Sequence, residues 1–574
     1  MKKYRIFLLA ILLGVVLVSC REAQPVRIKM VCTTDVHGNY FPHDFLADEP
    51  LSGSLARVTS YLNELRSPEA YGDNVIYMDN GDILHGQPAA FYYNTAAIQP
   101  THLAAEALNY MGCEVAVLGN HEIETGGPTY YRYIQDLECP VLGGNIFFEG
   151  SEVAFLPPYT MVERDGIRIA VLGLTTPAIP DRYPRSVWRG LEFRDMESSV
   201  KRWVEHVKGQ EQPDLIVGLF HSGLKGGIVH NGYVENATRA IAENVPGFDA
   251  IFYGHVHREA CDKVVNVEGD TVLLINPASR ARKVAALDIQ VVKGEEPVLA
   301  AEIVDMSAYD PDTAYVAHFR PHAEHVQAYL DKRVGAFSHA LDARKAYFGP
   351  SAYMDYIHGL QFDITKAEIS LASPLDYDMV IPEGDVLVRH LFDICPYETM
   401  LNVMMLTGQE VKDYLEYSYA QWVGGMTSAK DHLLRFDEAS LAEGKPRLAQ
   451  SCHDFDSAAG IIYEVDVTKP AGSRVIVKAM ADGKPFELKR EYRVVVNSHR
   501  GIGHGGFLTE GAGIAKEKLE GRIILSTEVG TRFYMLNHME MAGVIEPASL
   551  DNWKFVPERW TRAASERDYQ LLFK

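Results

Sequence analysis

Thiols are scarce in this sequence and are not arranged to organise it. Seven cysteines are spread over 574 residues, none in a CxxC pair, so no dense disulfide framework is indicated. Positive charge is also in short supply: 55 Lys and Arg stand against 77 Asp and Glu, a formal net charge of −22. That balance excludes a nucleic-acid scaffold or a polybasic membrane binder, both of which need a concentrated positive surface. A small anionic substrate remains compatible with it where bound metal reverses the local field.

The chain is too long for one hydrophobic core, which stops growing near roughly 250–300 residues, so two domains are expected. Its first twenty residues, MKKYRIFLLAILLGVVLVSC, combine a basic start with an apolar run too short to span a membrane comfortably. This reads as an export signal. The ending LVSC resembles a bacterial lipobox, which implies removal of residues 1–19 and lipidation of Cys20 as a membrane anchor. The six remaining cysteines, Cys32, Cys113, Cys139, Cys261, Cys395 and Cys452, are expected to be mainly buried free thiols.

From residue 26 to about 305, short apolar runs alternate with amphipathic stretches. The strand-like runs cover residues 28–34, 74–80, 114–120, 167–176, 214–223, 249–255 and 271–277. Helix-sized segments lie between several of them, as in 54–66, where Leu55, Val58, Leu62 and Leu65 recur at helical spacing. The pattern predicts a layered α/β domain over 20–308. Residues 309–340 read as a linker made of one polar helix, with His318, His322 and His325 on a solvated face and no strand-end context. Residues 341–574 mix long helices with strands and show no short repeat, which predicts a separate α+β domain.

Chemistry gathers where the first domain's strands end. TTDVHGN carries Asp35 and His37, NGD carries Asp82, GNHE carries Asn120 and His121, LFHSG carries His221, and GHVH carries His255 and His257. In an α/β sheet such residues converge beyond the carboxyl ends of the strands. Two residues apart in extended chain, the pairs in DVH and HVH would point to the same side and could share one ion. Each motif alone is weak, since a GD dipeptide is usually a turn and a lone His in an apolar run is usually a core residue. Five in succession, each after an apolar strand, point to a metal or acid–base centre.

This ordered set resembles the calcineurin-like metallophosphoesterases. With its long second domain, the chain resembles the bacterial 5′-nucleotidase and 2′,3′-cyclic-nucleotide 2′-phosphodiesterase/3′-nucleotidase family. The resemblance implies an αββα domain holding two divalent ions. Asp35, His37, Asp82 and His257 would lie at one ion, and Asp82, Asn120, His221 and His255 at the other. Imidazole, carboxylate and amide oxygen without thiolate suit Mn²⁺, Zn²⁺, Fe or Co²⁺, and such an ion pair activates water for in-line attack on phosphorus. The resemblance gives His121 the role of contacting the phosphate or protonating the leaving oxygen. Glu124 stands where the nucleotidases usually have an aspartate that orients that histidine; a helix-start glutamate favoured by the dipole is the plain alternative. Glu122 belongs to the motif without an assigned role.

In the second half, LFDICPYETMLNVMMLTGQEVKDYLEYS (391–418) and YRVVVNSHRGIGHGGF (492–507) resemble the family's nucleoside-binding segments. By that resemblance Tyr397 stacks on one face of a base and His499 on the other, replacing the family's Tyr or Phe. Asn497, Gly503 and Gly506 would make ribose or backbone contacts. With base and phosphate held by different domains, the site is expected in the cleft between them, with hinge motion about the linker. The histidine at His257 and the segment ISLASPLD (369–376) tilt the resemblance toward the cyclic-nucleotide branch. A 5′-nucleotidase or UDP-sugar hydrolase is the alternative enzyme, and a non-catalytic nucleotide-binding lipoprotein the alternative of another class.

Overall fold

A computed structural model describes residues 25–97, 101–292 and 295–574. The export segment and Cys20 lie outside the described residues. The chain divides into two compact units: residues up to Pro180 with Trp188–Glu324, and Asp181–Val187 with His325–Lys574. Among the described residues no helix is long and apolar enough to cross a membrane.

All seven strand-like runs are strands: β1 (Val26–Thr33), β2 (Val75–Asp79), β3 (Cys113–Val117), β4 (Ile167–Thr175), β5 (Leu215–His221), β6 (Ala250–Tyr253) and β7 (Thr271–Pro277). They form the centres of two six-stranded sheets. In one, β1, β2 and β3 are parallel, followed by Val141–Leu142, while Lys283–Val291 and Val298–Asp305 continue antiparallel beyond β1. In the other, β4, β5, β6 and β7 are parallel, with antiparallel strands Tyr159–Arg164 and Glu259–Val265 at the edges.

Apolar residues from both sheets meet in one core, including Ile28, Met30, Ile76 and Val115 from the first and Ile169, Val171, Val217 and Leu219 from the second. The second sheet's other face is covered by a helix over Met196–Gln210, through Val200, Val204 and Val207. Burial on both faces explains why these strands read as continuous apolar runs rather than alternating ones. The helix over Leu55–Leu65 begins where Ser54 Oγ accepts from the Arg57 amide and buries Leu55, Val58, Leu62 and Leu65. The layered α/β reading is thus the observed fold.

The linker differs from its sequence reading. Its helix runs only from Thr313 to Leu330, and Arg333–Phe337 is a strand paired with Gly384–Leu387. The run RVGAF buries Val334 and Phe337 in that pairing, which overrides the polar helical texture before it. Two of the three helix histidines also face a carboxylate from outside the helix. Glu106, from a neighbouring helix, faces both His318 and His322 at 3.5 Å, and His322 Nδ1 bonds Tyr93 Oη at 2.5 Å.

The second unit is α+β. A five-stranded sheet runs Ser457–Ala459, Ile369–Ala372, Glu491–Asn497, Leu401–Thr407, Ile523–Ser526. The helix Gly408–Trp422, started by a Thr407/Glu410 capping box, buries Tyr414, Tyr419 and Trp422 in a large aromatic core. The six cysteines within the described residues are free; five are buried and Cys261 is exposed.

Candidate metal centre

Each strand that carries a motif ends two to four residues before its chemistry, except β5, whose last residue is His221. The chain turns sharply there. Asp35, His37, Asp82, His255 and His257 all have φ between 50° and 72°, the left-handed region that L-residues avoid unless surroundings hold them. The same-side rule of extended chain therefore does not apply to DVH and HVH. In HVH it fails: His257 joins Asp35 and His37, while His255 joins Asp82 and His221.

The two groups have complementary geometry. His257 Nε2 lies 3.1 Å from Asp35 Oδ1 and 2.9 Å from His37 Nε2. His221 Nε2 lies 3.1 Å from Asp82 Oδ2 and 3.2 Å from Asn120 Oδ1. His255 Nδ1 lies 2.7 Å from the same Asn120 Oδ1. Asp35 Oδ1 is buried against the His257 imidazole, while Asp35 Oδ2 accepts from Thr34 Oγ1 and the His255 amide.

Electrostatics show what this donor set needs. At His221, Asp82 outweighs desolvation and raises the pKa to about 10. Desolvation drives His37 the other way, to about 3. Asp82 is held well below its usual range because His221 and His121 overcome its desolvation. Buried carboxylates thus demand cations within a cluster of imidazoles, and divalent ions meet that demand by replacing protons. With buried carboxylate oxygens facing imidazole nitrogens and no thiolate, the residues fit a pair of hard-to-borderline divalent metals.

His121 stands beside this set on the short helix Asn120–Glu124. Its amide donates to Asp82 Oδ1 at 2.8 Å, and its Nδ1 is 2.5 Å from Glu124 Oε2. The additional methylene of glutamate is taken up by the i, i+3 placement on that helix. Asp82 and Glu124 outweigh desolvation to raise His121 to about 9.

Sequence reasoning left three participants unassigned. Glu122 is buried and accepts from the amides of Asp82, Ile83, Leu84 and Gly119 at 2.6–3.0 Å. It ties the Asp82 turn to the Asn120 turn, and the GNHE motif was its only signal. Glu235 Oε1 lies 2.8 Å from His255 Nε2, as an outer carboxylate that orients a ligating imidazole does; nothing in its local sequence marks it. His85 lies flat on His121.

In the second unit Tyr397 is 58% exposed, with its ring edge-on to His453 at 5.1 Å. His499 stacks on His504 at 4.3 Å, so one of its faces is already covered. Desolvation, then the positive neighbours His504, Arg500, Arg182 and His453, pushes His499 down to about 3. Asn497 Oδ1 caps the following helix by accepting from the Arg500 amide at 2.8 Å, which commits that oxygen to the backbone. Gly503 and Gly506 adopt φ of 96° and 78°. A Cβ at Gly506 would meet Tyr417 Oη at 2.6 Å. Beneath the turn, the Arg500 guanidinium lies 3.8 Å from the Phe507 ring centroid and pairs with Asp456.

The two sheets, with metal-type ligands at their carboxyl ends, define the class: a hydrolase whose residues 28–259 match the calcineurin-like phosphoesterase family. Residues 330–510 match the 5′-nucleotidase C-terminal domain. The chain thus joins a calcineurin-like phosphoesterase domain to a 5′-nucleotidase C-terminal domain.

Among curated proteins it is 24% identical, over 95% of its length, to the trifunctional nucleotide phosphoesterase protein YfkN of Bacillus subtilis, of which it spans 40%. It is also 24% identical to a 2′,3′-cyclic-nucleotide 2′-phosphodiesterase/3′-nucleotidase of Haemophilus influenzae, covering 93% of this chain and 88% of that one. Its fold is similar to that of a Staphylococcus aureus protein assigned to the 5′-nucleotidases, with TM-score 0.70, 20% identity, and coverage of 92% and 99% of the two chains. It is likewise similar to the NAD nucleotidase of Haemophilus influenzae, with TM-score 0.57, 17% identity, and coverage of 93% and 99%.

Proposed function

We propose that this protein hydrolyses nucleotide phosphoesters with two divalent ions, acting as a 2′,3′-cyclic-nucleotide 2′-phosphodiesterase with 3′-nucleotidase activity. The observation that carries this reading is the gathering of Asp35, His37 and His257, and of Asp82, His221 and His255, with Asn120 beside the second group and His121 adjacent. Relatives bearing that activity name align over 93–96% of this chain, against 69% for the 5′-nucleotidases, which favours it over the 5′-nucleotidase alternative.

Asp35, His37, Asp82 and His257 would hold one ion, and Asp82, Asn120, His221 and His255 the other. When bound, the ions supply positive charge to the phosphate oxygens and activate water. The side chains do the rest. Glu122 fixes the turns that present Asp82 and Asn120, and Glu235 orients His255. Glu124 engages His121 Nδ1 and leaves Nε2 to meet the leaving oxygen. Tyr397 and His499 would stack on the base, each worth roughly 1–3 kcal/mol. Cys20 would anchor the exported protein to a membrane by its lipid.

The test is a panel of 2′,3′-cAMP, 3′-AMP, 5′-AMP and a UDP-sugar with purified protein and Mn²⁺. Hydrolysis of the first two is expected. Activity on 5′-AMP alone would favour the alternative enzyme, and metal-independent inertness toward all four would end the hydrolase reading.

A further inference from the structure

His85 belongs to neither ligand group proposed above, yet the chain around it is fixed. The Leu84 amide donates to Glu122 Oε1 at 3.0 Å, and the Leu84 carbonyl accepts from Asn94 Nδ2 at 2.7 Å. Three residues after Leu84 the Gln87 amide donates to the His37 carbonyl at 3.1 Å. Between these anchors the His85 ring lies on His121, with centroids 4.3 Å apart and planes 15° from parallel. It is edge-on to His37 at 6.1 Å, and one ring nitrogen from each of His37, His85 and His121 lies within 4.8 Å of the others.

His121 is also held by its amide, bonded to Asp82, by Nδ1, bonded to Glu124, and by the edge-on ring of His37 at 5.3 Å. The Glu124 hydrogen bond fixes the position of Nδ1, and the groups packed on the ring set its plane. Proton transfer requires Nε2 to reach the leaving oxygen at about 2.6–3.2 Å, and a small misplacement is costly. A flat neighbour pressed on one face holds that plane.

We propose that His85 is a positioning residue that sets the ring plane of His121 for proton delivery; this rests on the hydrolytic reading above. In that step the bond from phosphorus to the leaving oxygen breaks as a water oxygen bonds to phosphorus. The leaving oxygen takes the Nε2 proton of His121. The attacking water gives a proton to solvent, and solvent returns one to the ring.

The test compares His85→Ala, His85→Phe and His121→Ala on 3′-AMP, whose alkoxide must be protonated, and on p-nitrophenyl phosphate, whose leaving group need not be. His85→Ala is expected to lower kcat on 3′-AMP by about 10–100-fold, the usual scale of acid–base assistance lost in part. KM, metal content and turnover of p-nitrophenyl phosphate should stay within about threefold, because uniform binding is untouched. His85→Phe, which keeps a flat ring, should restore most of the 3′-AMP rate. Equal losses on both substrates, a fall in metal content, no loss at all, or no rescue by Phe would each overturn the proposal. If His121→Ala turns over 3′-AMP at the wild-type rate, the acid role of His121 fails, whatever His85 does.

Discussion

Glu122 shows what a single buried carboxylate does for this site. Four backbone amides from two turns point at its two oxygens, so truncation would leave four buried donors unpaired, each costly. Glu122→Ala is expected to lower the thermal midpoint by roughly 5 °C or more and to weaken metal retention, as read by calorimetry and metal analysis. Glu122→Gln should rescue only in part, since its amide group presents hydrogens where hydrogens already converge. Asp249 makes the opposite case. It accepts from the Ile216 amide at 2.8 Å, and desolvation raises its pKa to about 6. A raised carboxylate favours the folded state while protonated, so its contribution is present below about pH 4 and is lost as pH rises through about 6. Asp249→Asn keeps an acceptor without the charge. The variant should gain stability over wild type between pH 5 and 8, by about 1–2 kcal/mol after solvent screening, and equal midpoints at both pH values would contradict this.

At the scale of elements, the strand-end turns decide the site, and close backbone packing shapes them. A Cβ on Gly254 would sit 2.1 Å from Thr34 Oγ1 and 2.6 Å from Asp35 Oδ2, between a turn of one sheet and a turn of the other. Gly254→Ala is expected to displace Asp35, lowering metal content and phosphatase rate while far-ultraviolet circular dichroism stays native. Unchanged metal content would show that the approach relaxes freely. These turns also mark where sequence reading stops. The strands were legible because parallel strands buried on both faces must be apolar throughout. Strand periodicity misjudged HVH, whose two histidines only the family resemblance divided between the ions, because the left-handed conformations of His255 and His257 are imposed by contacts from other strands rather than by their neighbours in the chain. The short helix Asn120–Glu124 kept the His121–Glu124 spacing readable, since i, i+3 placement on a helix is local. Glu235 was invisible because only the fold brings it to His255. The linker misled for a related reason: a helical texture continued past Leu330 in composition, while pairing with Gly384–Leu387 made Arg333–Phe337 a strand.

For the whole molecule, the acidic balance and the function fit together only through the bound ions. A chain of formal charge −22 repels phosphate, and the positive charge that attracts it must be local to the strand ends. The second unit was less legible than the first because its roles rest on exposed or capping groups, such as Tyr397 and Asn497, which carry no pattern of their own. The dependence on two ions is therefore the claim to test. Chelator-stripped protein is titrated with Mn²⁺ while turnover of 2′,3′-cAMP is followed. The account predicts negligible turnover without metal and a rise that levels off at about two equivalents, the count of a two-metal site. Undiminished turnover by the stripped protein, or a plateau at about one equivalent, would contradict it.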